Sequence, residues 1–194
     1  SDKGYGSTAA FDVMAQRHMD GVWQYLKSVA PDFSVFTPFL LQNDVHNFKV
    51  ALKGTMSARD YYTELLLSPS VVDHSVIIDA VEHRNMKDLP GWMQGPAEKA
   101  YDLLAHTQDA RACDAVLDKA AMLEMLRLSD SYRSAFLKEY FRTLVFYNNI
   151  KIALRAARTG ADKHYLKSAM PRFEGFDRDA VIRAAVKGMD ALLE

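Results

Sequence analysis

Cysteine is nearly missing from this chain of 194 residues, since Cys113 is its only one. A single cysteine excludes an intrachain disulfide and a zinc site built from several cysteines. No uninterrupted stretch of about 18 apolar residues occurs, so we expect no segment that spans a membrane. Residues 1–7 lack the apolar core of a secretion signal. Together these absences predict a soluble, intracellular protein.

An excess of charge of either sign is also absent. The chain has 24 basic and 25 acidic side chains, which gives a net charge of −1 at pH 7. Dedicated nucleic-acid binders are usually strongly basic, so this balance argues against that class. Locally the charge is uneven, because residues 149–187 carry nine basic and four acidic side chains. Solvated helix faces are the simplest explanation, and a docking surface for a charged partner is the functional alternative.

Motifs that carry catalysis or cofactor binding are missing as well. There is no glycine-rich phosphate loop, and the six histidines lack the HExxH spacing of a zinc enzyme. Cys113 lies among small residues without an identifiable base, which predicts a packing role rather than a nucleophile. The sequence therefore gives no support for a cofactor, a metal or catalysis by this chain.

Helical periodicity runs through most of the sequence. Glycine and proline number nine and six and lie mostly between periodic stretches, and the alternation typical of strands is nearly absent. We predict an all-α fold in which Asp109 caps one helix start and Gly54 and Gly160 end two helices. The predicted helices span 8–29, 38–54, 58–68, 74–86, 96–107, 110–128, 131–158, 161–170 and 177–193.

The clearest break in this pattern is the segment 86–96, which contains Pro90, Gly91 and Gly95. Pro96 suits the first turn of the following helix, where its missing N–H would have no partner. We place a boundary in this segment. It divides the chain into a first helical unit at 1–90, incomplete at its start, and a second at 91–194 that runs into the start of a third.

An offset of 102 residues brings two parts of the sequence into register. Residues 47–53 (Asn-Phe-Lys-Val-Ala-Leu-Lys) then lie over residues 149–155 (Asn-Ile-Lys-Ile-Ala-Leu-Arg), and Phe39 lies over Phe141. Asparagine is a poor helix former, so its position inside both helices needs a reason. We interpret the match as two copies of one helical unit related by internal pseudo-symmetry.

Each copy of the repeated helix has an apolar stripe that is expected in the core. The stripe is formed by Leu41, Val45, Phe48 and Leu52 in the first copy and by Tyr147, Ile150 and Leu154 in the second. The neighbouring aromatic residues also fit a core stripe better than a cofactor site, and they are Tyr61, Tyr62, Phe136, Tyr140, Phe141, Phe146 and Tyr147.

A polar notch lies beside each stripe. It pairs Asn47 with Ala51 in the first copy and Asn149 with Ala153 in the second. Alanine one turn from asparagine lets another backbone approach, and the asparagine amide would then bond that backbone. The functional alternative is a ligand or metal site around Asp44, His46 and Asn47, although Asp44 and His46 lie on different helix faces.

The run 40–54 resembles the signature helix of the C subunit of prokaryotic V-type/A-type ATPases, whose family includes the d subunit of eukaryotic V-ATPases. Family members carry a run like ND-x-HN-x-K-x-x-L-(R/K) in one repeat, and residues 43–53 match it. The next repeat has (D/E)-x-x-N-(I/L)-(K/R)-x-x-(L/F)-(R/K), which residues 146–155 match except at the acid, where Phe146 or Tyr147 stands. The signature positions implied by the resemblance are Asp44, His46, Asn47, Lys49, Leu52, Asn149, Lys151, Leu154 and Arg155.

The resemblance covers most of 11–193 in order and spacing, and it implies a funnel-like fold of three related helical units. This chain holds about one and two-thirds of such units, so we expect a fragment, a trimmed chain or a shortened homologue. The implied role is a non-catalytic connector between the central stalk and the proteolipid rotor ring of a rotary ATPase. Such a connector binds no nucleic acid and associates peripherally with the cytoplasmic face of the membrane through the ring.

Two other functional classes remain open from the sequence. One is a free-standing all-helical adaptor that uses the same repeat without belonging to an ATPase. The other is a small helical enzyme with a metal site around Asp44 and His46. Binding to the other proteins of an ATPase would separate the connector from the adaptor, and metal analysis would test the enzyme.

Overall fold

The structure is a computed structural model that describes residues 5–57, 62–160 and 162–194. In these ranges the chain forms helices and turns and no strand, which confirms the all-α prediction. Short 3₁₀ turns cover 33–36, 62–65 and 86–88. The α-helices are α1 (Tyr5–Val29), α2 (Thr37–Met56), α3 (His74–Glu82), α4 (Gly91–Thr107), α5 (Ala110–Ser131), α6 (Ala135–Thr159), α7 (Lys163–Ala169), α8 (Arg178–Lys187) and α9 (Met189–Leu193).

Several helix ends follow from the capping residues in the sequence. Asp109 begins α5 as predicted, because its carboxylate accepts a hydrogen bond of 2.9 Å from the backbone N–H of Ala112. Gly160 ends α6 in the left-handed conformation with φ of 67°. The prediction for Gly54 is wrong, since α2 continues through it to Met56.

Four predicted helix ranges need correction. The range 96–107 begins earlier, at Gly91, because the carbonyl of Pro90 accepts the N–H groups of Met93 and Gln94 and so starts the helix before Pro96. In the range 131–158 the helix begins at 135, after α5 has run to Ser131. Helix 74–86 ends at Glu82. The range 177–193 is interrupted at Gly188, whose φ of 119° is outside helical values.

The predicted helix 58–68 is also absent from its described part. Residues 58–61 lie outside the described ranges, and 62–65 form a single 3₁₀ turn. Residues 66–73 contain no helix. Their backbone groups bind side chains of α2 instead, as the site geometry below shows, and those bonds compete with helix formation.

Helix α5 lies at the centre of the fold. It packs against α2, α4, α6 and α7, and one apolar cluster joins residues of α2 through α6. A second cluster joins α6, α7 and α8. The first cluster includes Met86 and Met93, which lie on opposite sides of the predicted boundary near residue 90. The division into units at 1–90 and 91–194 remains a prediction.

The order of the helices follows the repeat found in the sequence. Shifting α1, α2 and α3 by 102 residues places them over α5, α6 and α8. The 3₁₀ turn at 62–65 falls on α7 in the same way. The counterpart of α4 would cover 193–209, a range that extends past the 194 residues of the chain. None of the helices in the described ranges has an apolar stretch of the length that crossing a membrane requires.

Candidate functional site

The signature helix α2 holds the connecting segment 65–72 through buried side chains. Asn47 is fully buried, and its Nδ2 donates to the carbonyl of Leu67 at 2.9 Å while its Oδ1 accepts from the N–H of Leu67 at 2.7 Å. The amide thus satisfies both polar groups of one residue that has no helix or sheet partner. The prediction that this asparagine bonds the backbone it meets is confirmed.

Asp44 holds the same segment one turn earlier on α2. Its Oδ1 accepts the backbone N–H groups of Val71 at 2.9 Å and Val72 at 3.0 Å. Its Oδ2 is buried without a hydrogen-bond partner among the described residues. Burial raises the pKa of the Asp44 carboxyl to about 6, although the two N–H groups and the nearby His74 ring act in the opposite direction.

Three further side chains complete the attachment of the segment. His46 lies with its Nε2 3.0 Å from the carbonyl of Leu65, and Asn43 donates to the carbonyl of Pro69 at 2.8 Å. His74, at the start of α3, has its Nε2 3.0 Å from the carbonyl of Leu67. Sequence reasoning missed Asn43 and His74. Asn43 directly precedes the signature aspartate, but nothing in the sequence placed His74 beside this segment.

The basic face of α2 contacts acidic side chains of α5. The Lys53 ammonium lies 2.7 Å and 2.9 Å from the two carboxylate oxygens of Asp114. Lys49 forms an ion pair with Asp118, one helical turn further along α5. The pairs flank Leu52, which is fully buried in the shared core. These ion pairs therefore fix which face of α5 meets α2.

The second copy of the notch repeats the first one incompletely. Asn149 and Ala153 on α6 are fully buried, and Asn149 donates to the carbonyl of Pro171 at 3.2 Å. The Oδ1 of Asn149 has no hydrogen-bond partner among the described residues. The repeated asparagine therefore bonds a downstream backbone in both copies, with two bonds in the first copy and one in the second.

The apolar stripe of the second copy is less buried than predicted. Tyr147 is 57% exposed, and Ile150 and Leu154 are half-buried. Lys151 and Arg155 are exposed beside them. Among the other aromatic residues predicted in the core, Phe141 is buried and Tyr62 half-buried, whereas Phe136, Tyr140 and Phe146 are exposed and Tyr61 lies outside the described residues. The exposed side chains lie on α6, whose outer side is not covered by another helix in the described ranges.

The polar side chains of this site mainly hold the backbone of segment 65–72 in place. The part of the chain that the structure describes contains no group of three His, Cys, Asp or Glu side chains placed to hold a metal. Asp44, His46 and Asn47 all direct polar atoms to the backbone of segment 65–72. Cys113 is fully buried, and that burial raises the pKa of its thiol to about 11, which disfavours the nucleophilic thiolate.

Comparison with known proteins identifies the protein family to which this chain belongs. Neither the curated proteins nor the solved structures contain a significant match to this chain. One family model, described as ATP synthase (C/AC39) subunit, matches residues 1–194. Its match agrees with the all-α fold and with the signature run on α2. The chain belongs to the ATP synthase (C/AC39) subunit family and is thus a subunit of a V/A-type ATPase.

Proposed function

We propose that the chain is a non-catalytic connector on the central axis of a rotary V-type/A-type ATPase. It couples the central stalk to the proteolipid rotor ring, and so links ion transport to ATP hydrolysis or synthesis. Its place is the cytoplasmic face of the membrane, where it associates peripherally through the ring. The observation that carries this proposal is the family match over residues 1–194.

The contacts of the signature helix support a mechanical role. Asp44 and Asn47 use their side chains to bind segment 65–72, and Lys49 and Lys53 bind α5. A buried amide whose two polar atoms are both satisfied, as in Asn47, holds a unique arrangement of neighbouring elements. A part that transmits torque needs such fixed packing, and it needs no pocket with reactive side chains.

The direct test is a pull-down of the full-length protein from native membranes in a mild detergent, followed by mass spectrometry. We expect the ATPase head, the central stalk and the proteolipid subunits to be recovered together. The control is the same pull-down with the affinity tag attached to an unrelated membrane-associated protein instead of this chain. Recovery of the chain without any of these proteins would contradict the proposal and favour the adaptor class.

A second test separates coupling from simple membership of the complex. Sealed vesicles with the complete ATPase are compared with vesicles from which this subunit has been omitted during assembly. We expect ATP hydrolysis by the soluble head to persist while ion transport into the vesicles is lost. Unchanged ion transport without the subunit would contradict a coupling role, even if the pull-down had placed the chain in the complex.

A further inference from the structure

Segment 65–72 is attached to the rest of the chain mainly through polar side chains. No helix follows the 3₁₀ turn that ends at Leu65 until α3 begins. Only Val72 in the segment is buried, and its half-buried residues are Leu66, Leu67, Pro69 and Ser70. A stretch that buries little apolar surface can detach at a low free energy while the core stays folded. Its attachment therefore depends on the side chains of α2 and α3 that bind its backbone.

Asp44 is the buried attachment point that can lose a proton. Its Oδ1 accepts the N–H groups of Val71 and Val72, and its Oδ2 is buried without a hydrogen-bond partner among the described residues. An ionised carboxylate needs hydrogen bonds at both oxygens to offset its loss of water, and these contacts supply them at one oxygen. A protonated carboxyl has no charge to desolvate. The closed segment therefore favours the protonated form of Asp44.

His74 holds the segment from α3 and also acts on the Asp44 carboxyl. Its Nε2 lies 3.0 Å from the carbonyl of Leu67. Because a carbonyl oxygen only accepts hydrogen bonds, this nitrogen carries a proton in every charge state of the ring. The ring gains or loses its charge at Nδ1 instead. The bond from His74 to the segment is thus kept at any pH, whereas the two bonds to Asp44 depend on a group that titrates.

The other charged groups around the segment are engaged elsewhere. On α2, the His46 ring is directed to the backbone of the segment. On α3, the Asp73 carboxylate accepts the N–H that it caps at the start of the helix. On α5, Glu124 forms an ion pair with Arg127. In the described part of the chain, His74 is therefore the titratable side chain whose charge acts on the Asp44 carboxyl.

We propose that segment 65–72 is a pH-dependent switch. It is closed on α2 while the Asp44 carboxyl is protonated, and it detaches locally more readily once that carboxyl has ionised, with α2 and α3 still folded. Detachment lets water reach both carboxylate oxygens, and this hydration favours opening. The pKa of about 6 in the closed chain, against an ordinary value of 3.8, places the change between mildly acidic and neutral pH. The inference is independent of the connector role.

Amide hydrogen exchange of the full chain, followed by NMR, measures this opening. The quantity compared is protection, the factor by which structure slows exchange relative to an unstructured chain at the same pH. From the two pKa values we expect the protection of the Val71 and Val72 amides to fall about tenfold between pH 5 and pH 7. The amides of Ile77 and Val81, which are buried in α3, serve as the internal control.

The response to urea distinguishes local opening from unfolding of the whole chain. Local opening exposes little surface, so low concentrations of urea should leave the exchange of Val71 and Val72 unchanged. The amides of Ile77 and Val81 should be more protected and should exchange faster as urea is added. Equal protection and an equal urea response in the segment and in α3 would overturn the proposal, because the segment would then open only with the whole fold.

Two variants identify the group that controls the opening. Asp44→Asn keeps an oxygen that accepts the two N–H groups but cannot ionise, so protection of the segment should not change between pH 5 and pH 7. His74→Gln can still donate to Leu67 but lacks the ring charge, which lowers the pKa of Asp44. In that variant the fall in protection should remain and should move to a slightly higher pH.

A fall that persists in Asp44→Asn, or one that disappears in a folded His74→Gln variant, would overturn the assignment to Asp44. Circular dichroism checks that both variants are folded. The unmodified chain provides a second measurement, a ¹³C NMR titration of the Asp44 carboxyl. A titration midpoint near pH 6 that coincides with the fall in protection is expected, and a midpoint below pH 5 would overturn the proposal.

Discussion

Asn47 and Leu67 exchange two hydrogen bonds across 20 residues of sequence, with the side-chain amide of one meeting the backbone amide of the other. The second copy has no equivalent exchange. Asn149 donates to the carbonyl of Pro171, and a proline has no N–H with which to return the bond. This explains why the Oδ1 of Asn149 is left without a partner in the described part of the chain.

The two asparagines therefore predict different losses of stability on truncation. Asn47→Ala removes two buried hydrogen bonds and leaves the N–H and C=O of Leu67 unsatisfied, so we expect the free energy of unfolding to fall by at least about 2 kcal/mol. Asn149→Ala removes one longer bond and also a buried unpaired oxygen, so a loss of about 1 kcal/mol is expected. Urea denaturation of both variants gives the comparison. Equal losses would contradict the difference between the two copies.

The Asp44 carboxyl makes stability depend on pH in a predictable direction. Its pKa is about 6 in the folded chain, against an ordinary value of 3.8, so the folded state binds the extra proton between these limits. Protonation of Asp44 thus stabilises the fold, and this contribution is lost as the pH rises through 6. A shift of this size corresponds to about 3 kcal/mol in full, of which about 2 kcal/mol is lost between pH 4 and pH 7.

The substitution Asp44→Asn isolates this effect. Its Oδ1 can still accept the N–H groups of Val71 and Val72, and the group no longer ionises. We expect the variant to be more stable than the parent chain at pH 7 and similar to it at pH 4, as measured by denaturation at both values. Asp190→Asn, at an exposed position on α9, is the matched control. A constant difference between Asp44→Asn and the parent chain at all pH values would refute the buried-charge explanation.

Two glycines inside helices predict opposite effects when replaced by alanine. A Cβ at Gly54 on α2 would lie 2.4 Å from Cγ of Tyr62, close to the backbone of that residue, so the clash cannot be relieved by a small movement. A Cβ at Gly95 on α4 meets nothing within 4 Å. We expect Gly95→Ala to stabilise the chain by up to about 1 kcal/mol and Gly54→Ala to destabilise it. Thermal unfolding distinguishes them, and stabilisation by both would show that Tyr62 does not pack on α2.

The ion pair between Lys53 and Asp114 predicts a small, salt-sensitive coupling. Both side chains are more than one third exposed, so screening by water limits the coupling to about 0.2–1 kcal/mol in a double-mutant cycle. Leu52→Ala, in contrast, removes a fully buried side chain and should cost about 2–5 kcal/mol. The cycle is measured at low and high salt, where the coupling should decline. A large coupling that salt does not change would contradict this ranking.

Local sequence rules predicted the all-α fold and the internal repeat well. Helical periodicity and caps such as Asp109 act within a few residues, and they located most helices. The predicted helix 58–68 failed because Asp44 and Asn47 compete for the backbone of the segment that follows, and that competition is not visible from local propensity. Tyr147 was misplaced for a similar reason, since the pattern marks an apolar stripe but does not show whether a second helix covers it.

The site could be predicted only in part. The repeated asparagine indicated a side-chain bond to backbone, and this is what the structure contains. The partner residues could not be predicted, because Leu67 and Pro171 have no sequence feature that marks them as acceptors. The pairing of Lys49 and Lys53 with α5 also depends on how two helices meet across more than 60 residues of sequence.

The central position of α5 has a consequence for how the protein opens locally. Amide hydrogens exchange with solvent only when their hydrogen bonds break, and the free energy needed depends on how many neighbours must move away. The described side chains of α1 within residues 11–29 are mostly exposed, so the amides of this part of the helix should exchange first. α5 packs against four helices, so its amides should exchange last and at rates set by unfolding of the whole core. The slowest hydrogens in the protein thus belong to the helix that packs against both α2 and α6, the two copies of the repeated helix.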